Sequence, residues 1–188
     1  MLTVSKGLPK ELYQKIEDKQ SSTISLIYDT FIQDNRMKNI LKSLKEMNFI
    51  IAVASNSIRE TVKAMLLKLD LMRYVDFFVS NQDVKNPKPN VEMYLRCMIK
   101  AGVSPKETVI IEDSHIGRKA ALDSGAYLCA VKNPEDVTLE KIMKVIDMND
   151  KTNKPKIDKS LNVLIPMAGA GSRFEKAGYT FPKTSYRS

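Results

Sequence analysis

Three polar clusters stand directly behind apolar runs, where a strand end could present them to a ligand. "FIIAVA" is followed by Ser55 and Asn56. "DFFVS" is followed, after a short loop, by Lys88 at the head of "KPNVEMY". "TVII" ends in two adjacent carboxylates, Glu112 and Asp113, with Ser114 and Gly117 just beyond. A hydroxyl and a lysine can hold phosphate oxygens. A carboxylate pair can hold a hard cation through oxygen. Together they suit a phosphate bound with Mg²⁺, where cation and lysine stabilise charge in phosphoryl transfer. Each residue also has a plainer use. Ser55 could cap the helix that opens near Ile58, Lys88 could be a solvated lysine, and Glu112–Asp113 could favour the positive end of the next helix. Their order at successive strand ends favours the shared site.

The elements that must position them follow from apolar spacing. "NRMKNILKSLKEMN" places Met37, Ile40, Leu41, Leu44 and Met47 on one helical face. "SIRETVKAMLLKLDL" does the same with Ile58, Val62, Met65, Leu66 and Leu69. "NVEMYLRCMIKAG" predicts a helix stopped by Gly102, and "GRKAALDSG" one stopped by Gly125. "TLEKIMKVI" predicts a last helix with Thr138 as its N-cap. "FIIAVAS", "YVDFFVS", "ETVIIE" and "AYLCAV" are continuous apolar runs, which predicts buried parallel strands. Strands alternating with helices give an α/β class, a parallel sheet covered on both faces. Ligands of such sheets bind at the carboxyl ends of the strands, where the three clusters fall. Residues 1–34 predict a small helical layer, and 147–160 a polar linker before a new strand, "LNVLI".

Composition narrows the classes. The 188 residues carry a net charge of +8. Residues 1–150 contribute only +2 of it and residues 151–188 contribute +6. The basic surplus is in the tail, and no basic stripe with interleaved aromatics marks the main domain, so nucleic-acid binding is not expected. No run approaches the ~20 apolar residues of a membrane span, and the start lacks a signal-peptide core. The expected location is the cytoplasm. Cys97 and Cys129 lie in apolar segments and read as buried free thiols. His115 has no second histidine to share a metal with.

The ordered set "VASNS", "KPNVEMY" and "IEDSHIGRKAALDSGA" resembles the haloacid-dehalogenase superfamily, in its β-phosphoglucomutase-like phosphatase branch, over residues 20–146. The resemblance implies a Rossmann-like core with a partial helical cap before it. It implies that Ser55 hydrogen-bonds the transferring phosphoryl group, with Asn56 beside it. Lys88 would neutralise phosphate and nucleophile, and Glu112 and Asp113 would bind Mg²⁺, with Ser114 and Gly117 completing the loop. Lys85 competes for the lysine role, but "KPNVEMY" fits the family's spacing from Lys88.

The family's nucleophile is an aspartate at the end of its first strand, in an Asp-x-Asp pattern. No two aspartates here are separated by one residue, and none before Ser55 ends an apolar strand. The first strand, the nucleophile and the acid/base residue are therefore missing from these residues, and a sheet without an inner strand is expected. The chain alone is expected to hydrolyse no phosphate ester. A preceding segment or a companion chain would have to supply the missing strand.

The tail, "LNVLIPMAGAGSRFEKAGYTFPK", resembles the opening of a sugar-nucleotidyltransferase domain. That resemblance implies a phosphate-wrapping loop of Gly169, Gly171, Ser172 and Arg173, with Lys183 contacting phosphate. The plainer reading is a basic disordered tail. The expected organisation is a partial cap (1–34), a core (35–146), a linker (147–160) and a nucleotidyltransferase start (161–188). The expected activity is Mg²⁺-dependent phosphatase or phosphomutase chemistry on a small phosphorylated metabolite, a sugar phosphate. The alternatives are a non-catalytic Mg²⁺/phosphate-binding remnant and one half of a split enzyme.

Overall fold

The computed structural model describes residues 35–150, the backbone of 162–165, and Asp18, Ser21 and Ser22. The expected cap, apart from those three residues, and the expected nucleotide loop with Gly169, Gly171, Ser172, Arg173 and Lys183 lie outside the described residues.

Helix α1 (Asn35–Glu46) leads into β1 (Ile51–Ala54), α2 (Arg59–Lys68) and β2 (Phe77–Val79). Then follow α3 (Glu92–Ala101), β3 (Thr108–Glu112), α4 (His115–Asp123), β4 (Tyr127–Ala130), α5 (Leu139–Asp150) and β5 (Asn162–Ile165). The strands form one five-stranded sheet in the order β2-β1-β5-β3-β4. Every pairing is parallel. Helices alternating with apolar strands give this α/β Rossmann-like architecture because each strand must bury both faces.

The strand alternation divides the core in two. Ile51 and Val53 of β1, with Val109 and Ile111 of β3, pack with α1, α2 and α5 through Leu41, Leu44, Leu66 and Ile142. Ala52, Ala54 and Ile110 face α3 and α4 through Met93, Tyr94, Cys97, Ala120 and Ala121. The expected inward positions of α1 and α2 hold: Ile40, Leu41, Leu44, Val62, Met65 and Leu66 are buried. Met47 departs from this, because α1 ends at Glu46 and leaves its side chain exposed. Gly102 ends α3 at φ 72°, a left-handed conformation that glycine enters without a Cβ penalty. Thr138 caps α5 by accepting from the Lys141 N–H at 3.2 Å. That helix continues to Asp150, into the stretch expected as linker.

The inner position of the sheet differs from expectation. It is not open: β5, from the segment assigned by sequence to a second domain, lies between β1 and β3. Ala52 and Ile110 both register on Leu164. Unpaired backbone groups on two buried strands are costly, and an apolar segment that can pair on both sides removes that cost.

Candidate active site

The carboxyl ends of β1 and β3 are joined by one lysine. Lys88 Nζ donates to Glu112 Oε1 at 2.7 Å, to the Ala54 carbonyl at 3.3 Å and to the Tyr94 hydroxyl at 3.4 Å. Lys88 and Glu112 form an ion pair whose side chains are 6% and 0% exposed. An isolated charge there would be prohibitive, so each holds the other in place.

The lysine is positioned from the backbone. Asn56 Oδ1 accepts from the Lys88 N–H at 3.0 Å, and Asn56 Nδ2 donates to the Lys88 carbonyl at 2.9 Å. Asn56 therefore clamps the Lys88 peptide instead of facing outward. Lys85, the competing lysine, lies on the exposed side of the loop and gives its N–H to Glu92. The structure thus brings Lys88 to the carboxylates and leaves Lys85 outside.

Ser55 is buried at the end of β1. Its Oγ accepts from the Ser57 N–H at 3.2 Å, and its own N–H donates to the Val79 carbonyl. It does not cap α2, whose N-cap is Ile58 without a side-chain bond. Among the described residues its hydroxyl proton meets no acceptor.

The two carboxylates behave differently. Glu112 is saturated: Oε1 accepts from Lys88 and Tyr94, while Oε2 accepts from the Ser114 hydroxyl at 2.9 Å and the Ser114 N–H at 3.3 Å. Ser114 also caps α4, accepting from the Gly117 N–H at 3.1 Å. A Cβ on Gly117 would fall inside the Glu112 carboxylate, so this helix turn has room for glycine alone. Asp113 has a buried Oδ1 without a hydrogen-bond partner. Burial, and then the neighbouring Glu112 charge, push its carboxyl above the usual carboxylate range. The Arg118 side chain donates to the Asp113 carbonyl at 2.6 Å, leaving a buried Nε unpartnered beside it.

An orphaned carboxylate oxygen next to a saturated one fits a hard cation at one position, Asp113. Among the described residues no group of three or more carboxylate, imidazole or thiolate side chains gathers to complete a cation's shell. Other ligands would have to come from phosphate, water or another strand. His115 is exposed on the first turn of α4. Cys97 is buried and its thiol is pushed up to about 12 by desolvation, so it is no nucleophile.

Tyr94 is the site residue that the sequence reading passed over. Its spacing makes it look like one more core aromatic of α3, and its ring is buried. Its hydroxyl donates to Glu112, and burial with that carboxylate raises its pKa. The available signal was a polar-tipped aromatic six residues after a lysine, on the helix face turned to the carboxylates.

The family of haloacid dehalogenase-like hydrolases matches residues 4–131. The chain belongs to that family. It is 30% identical over 100 residues to a phosphorylated carbohydrates phosphatase of Thermotoga maritima, covering 53% of this chain and 46% of that protein. It is 35% identical over 75 residues to the fructose-1-phosphate phosphatase YqaB of Escherichia coli, covering 40% of each. The chain thus spans about half or less of these relatives' length. The crystal structure of a β-phosphoglucomutase from Clostridium difficile superimposes with a TM-score of 0.62 at 20% identity, covering 77% of this chain and 70% of that one. At that identity the likeness speaks for the fold.

Proposed function

We propose that residues 35–150 are the phosphate-handling core of a Mg²⁺-dependent phosphohydrolase acting on a small phosphorylated metabolite, a sugar phosphate. The observation that carries this is Lys88 Nζ, buried 2.7 Å from Glu112 and reaching the end of β1, with the orphaned Asp113 oxygen beside the same edge. A cation and an unsatisfied carboxylate at strand ends are what a phosphate–Mg²⁺ pair needs. The relatives that act on phosphorylated carbohydrates support the substrate class. Asp113 would hold the cation directly, with Glu112 aligning Lys88 behind it. Ser55 would donate to a phosphate oxygen. When bound, Mg²⁺ supplies charge neutralisation for phosphoryl transfer.

These 188 residues alone turn over no phosphate ester on this reading, because the sequence holds no Asp-x-Asp pair and, among the described residues, no carboxylate stands at the end of the central strand β5. Binding without turnover is the second reading, favoured by the same Lys88–Glu112 pair. The tail reading is kept as a proposal: residues 161–188 open a nucleotidyltransferase, with Gly169, Gly171, Ser172, Arg173 and Lys183 around nucleotide phosphates. It would activate the sugar phosphate that the core handles.

The test is a turnover assay with a panel of sugar phosphates, with and without Mg²⁺, beside a titration with inorganic phosphate. Phosphate binding with no EDTA-sensitive turnover is expected. Neither binding nor turnover would remove the phosphate-site reading. Mg²⁺-dependent turnover by the chain alone would remove the claim of inactivity.

A further inference from the structure

Asp113 is the first residue beyond the β3–β4 ladder, whose last register is Glu112 on Ala130. The sheet therefore fixes Glu112 and lets go of Asp113. Ser114, the next residue, is held as the N-cap of α4. Asp113 is the link between these two anchors, and its Oδ1 is buried without a partner. Among the described residues a single hydrogen bond from another residue reaches Asp113. Arg118 Nη2 donates to its carbonyl at 2.6 Å.

Stability gives little reason for an arginine at this position. Arg118 is the fourth residue of α4, and a cation in the first turn of a helix opposes the helix dipole. No acidic residue in that turn offsets it. The side chain is half-buried, and its Nε is buried with no hydrogen-bond partner, which costs stability. A guanidinium beside a cation site also repels the cation. What speaks for it is geometry. Helical side chains lean towards the preceding turn, which carries the guanidinium back over the start of α4. There it meets a backbone carbonyl. The Arg118 N–H donates to the Ser114 carbonyl at 2.9 Å, so one residue ties two successive carbonyls of the loop.

We propose that Arg118 is a positioning residue of the cation site: by holding the Asp113 carbonyl, it fixes the backbone that carries the unpartnered Asp113 Oδ1. The inference rests on the reading of Asp113 as the residue that holds Mg²⁺. It adds a residue that never touches the cation and acts through Asp113. The start of α4 keeps an arginine that is unfavourable for stability, because a loosely held Asp113 would bind a cation weakly. Partners that stand behind a metal ligand typically set about 10–100-fold of metal affinity.

The experiment uses the full 188-residue chain with inorganic phosphate present, and Mn²⁺ as a paramagnetic probe in place of Mg²⁺. Electron paramagnetic resonance counts unbound Mn²⁺, and circular dichroism reads the fold and thermal midpoint of each variant. Arg118→Met keeps an unbranched stem and removes the charge and the bond to Asp113. Loss of a neighbouring positive charge alone would tighten cation binding, whereas loss of positioning loosens it. The expected result for Arg118→Met is a fall of about 10–100-fold in Mn²⁺ affinity, with the thermal midpoint within a few degrees of the parent chain. Arg118→Lys can still donate to the Asp113 carbonyl and should recover most of that loss. Unchanged or tighter Mn²⁺ binding by Arg118→Met overturns the proposal. A large drop in its thermal midpoint, or failure to fold, overturns it too, because Arg118 would then be a structural brace. Arg118→Lys binding no better than Arg118→Met overturns the carbonyl bond as the cause. Asp113→Asn tests the underlying reading separately. If it binds Mn²⁺ as well as the parent chain, or if the parent chain binds none, the assignment of the cation to Asp113 falls and this inference falls with it. If Asp113→Asn loses binding and Arg118→Met keeps it, the cation site stands and only the role of Arg118 is removed.

Discussion

Two lysine–carboxylate pairs stand at opposite ends of the same sheet. At the amino end, Lys45 Nζ lies 2.8 Å from Asp76, with the side chains 35% and 37% exposed. At the carboxyl end, Lys88 lies 2.7 Å from Glu112, with the side chains 6% and 0% exposed. The distances are nearly equal, so burial makes the difference. Asp76 also accepts from the Ile51 N–H at 2.8 Å, which fastens the start of β1. That pair is a strand-start tie in water, worth ~1 kcal/mol or less as an ion pair. The Lys88–Glu112 pair sits where solvation is lost, and replacing such buried pairs by hydrocarbon of similar volume is often neutral or stabilising. Stability alone gives no reason for such a pair, and its position at the carboxyl ends of β1 and β3 fits the proposed phosphate site.

The contrast is broken most severely by removing one buried partner. Glu112→Ala leaves Lys88 uncompensated and should cost about 3–5 kcal/mol. Asp76→Ala should cost about 1–2 kcal/mol, from the lost pair and the unmet Ile51 N–H. Urea denaturation of both variants checks this, and equal losses would erase the distinction. Next comes Gly117→Ala. Its methyl group would occupy the Glu112 carboxylate position, so overpacking of about 1–3 kcal/mol is expected, with weakened phosphate binding. Gly102→Ala, with open space around its Cβ and φ 72°, should show only the left-handed penalty of about 1–2 kcal/mol and keep binding.

Asn56→Ala sharpens the comparison at smaller scale. It removes both bonds to the Lys88 peptide and should lower stability by about 1–3 kcal/mol. Phosphate affinity should fall with it, because Lys88 loses its placement. Stability loss without any change in affinity would show that Asn56 only braces the loop. The smallest effect concerns Glu92, lowered to about 2, first by the Lys85 N–H and then by the Asn86 N–H. A carboxyl depressed in the folded state stabilises above its unfolded value and loses that contribution as pH falls towards the folded one. Stability should therefore decline from about pH 4.5 towards 2, and Glu92→Gln should flatten that part of the profile, read by thermal melts.

The fold was legible because its elements repeat simple periods. The helices from α1 to α5 and strands β1 to β4 each follow an apolar pattern that survives in single segments. The preference for Lys88 over Lys85 came from the resemblance, through the family spacing of "KPNVEMY", and Lys88 is the one that meets Glu112. The role of Asn56 was not, because its partner is 32 positions away and only folding joins them. Glu112 and Asp113 look equivalent as neighbours in sequence. Strand alternation turns Glu112 towards Tyr94, Lys88 and Ser114 and leaves Asp113 with the free oxygen. The place of β5 was hidden for another reason. A short, mostly apolar run such as Asn162–Ile165 states that it will pair, and says nothing of which strands.

The most direct measurement is a phosphorus NMR titration of inorganic phosphate in the presence of Mg²⁺, with Lys88→Met and Lys45→Met compared side by side. Circular dichroism establishes that both are folded; if Lys88→Met is not, Lys88→Met with Glu112→Gln takes its place. Loss of binding at Lys88 with binding kept at Lys45 is the predicted result. Equal binding by both variants would contradict a phosphate site at the carboxyl edge of the sheet.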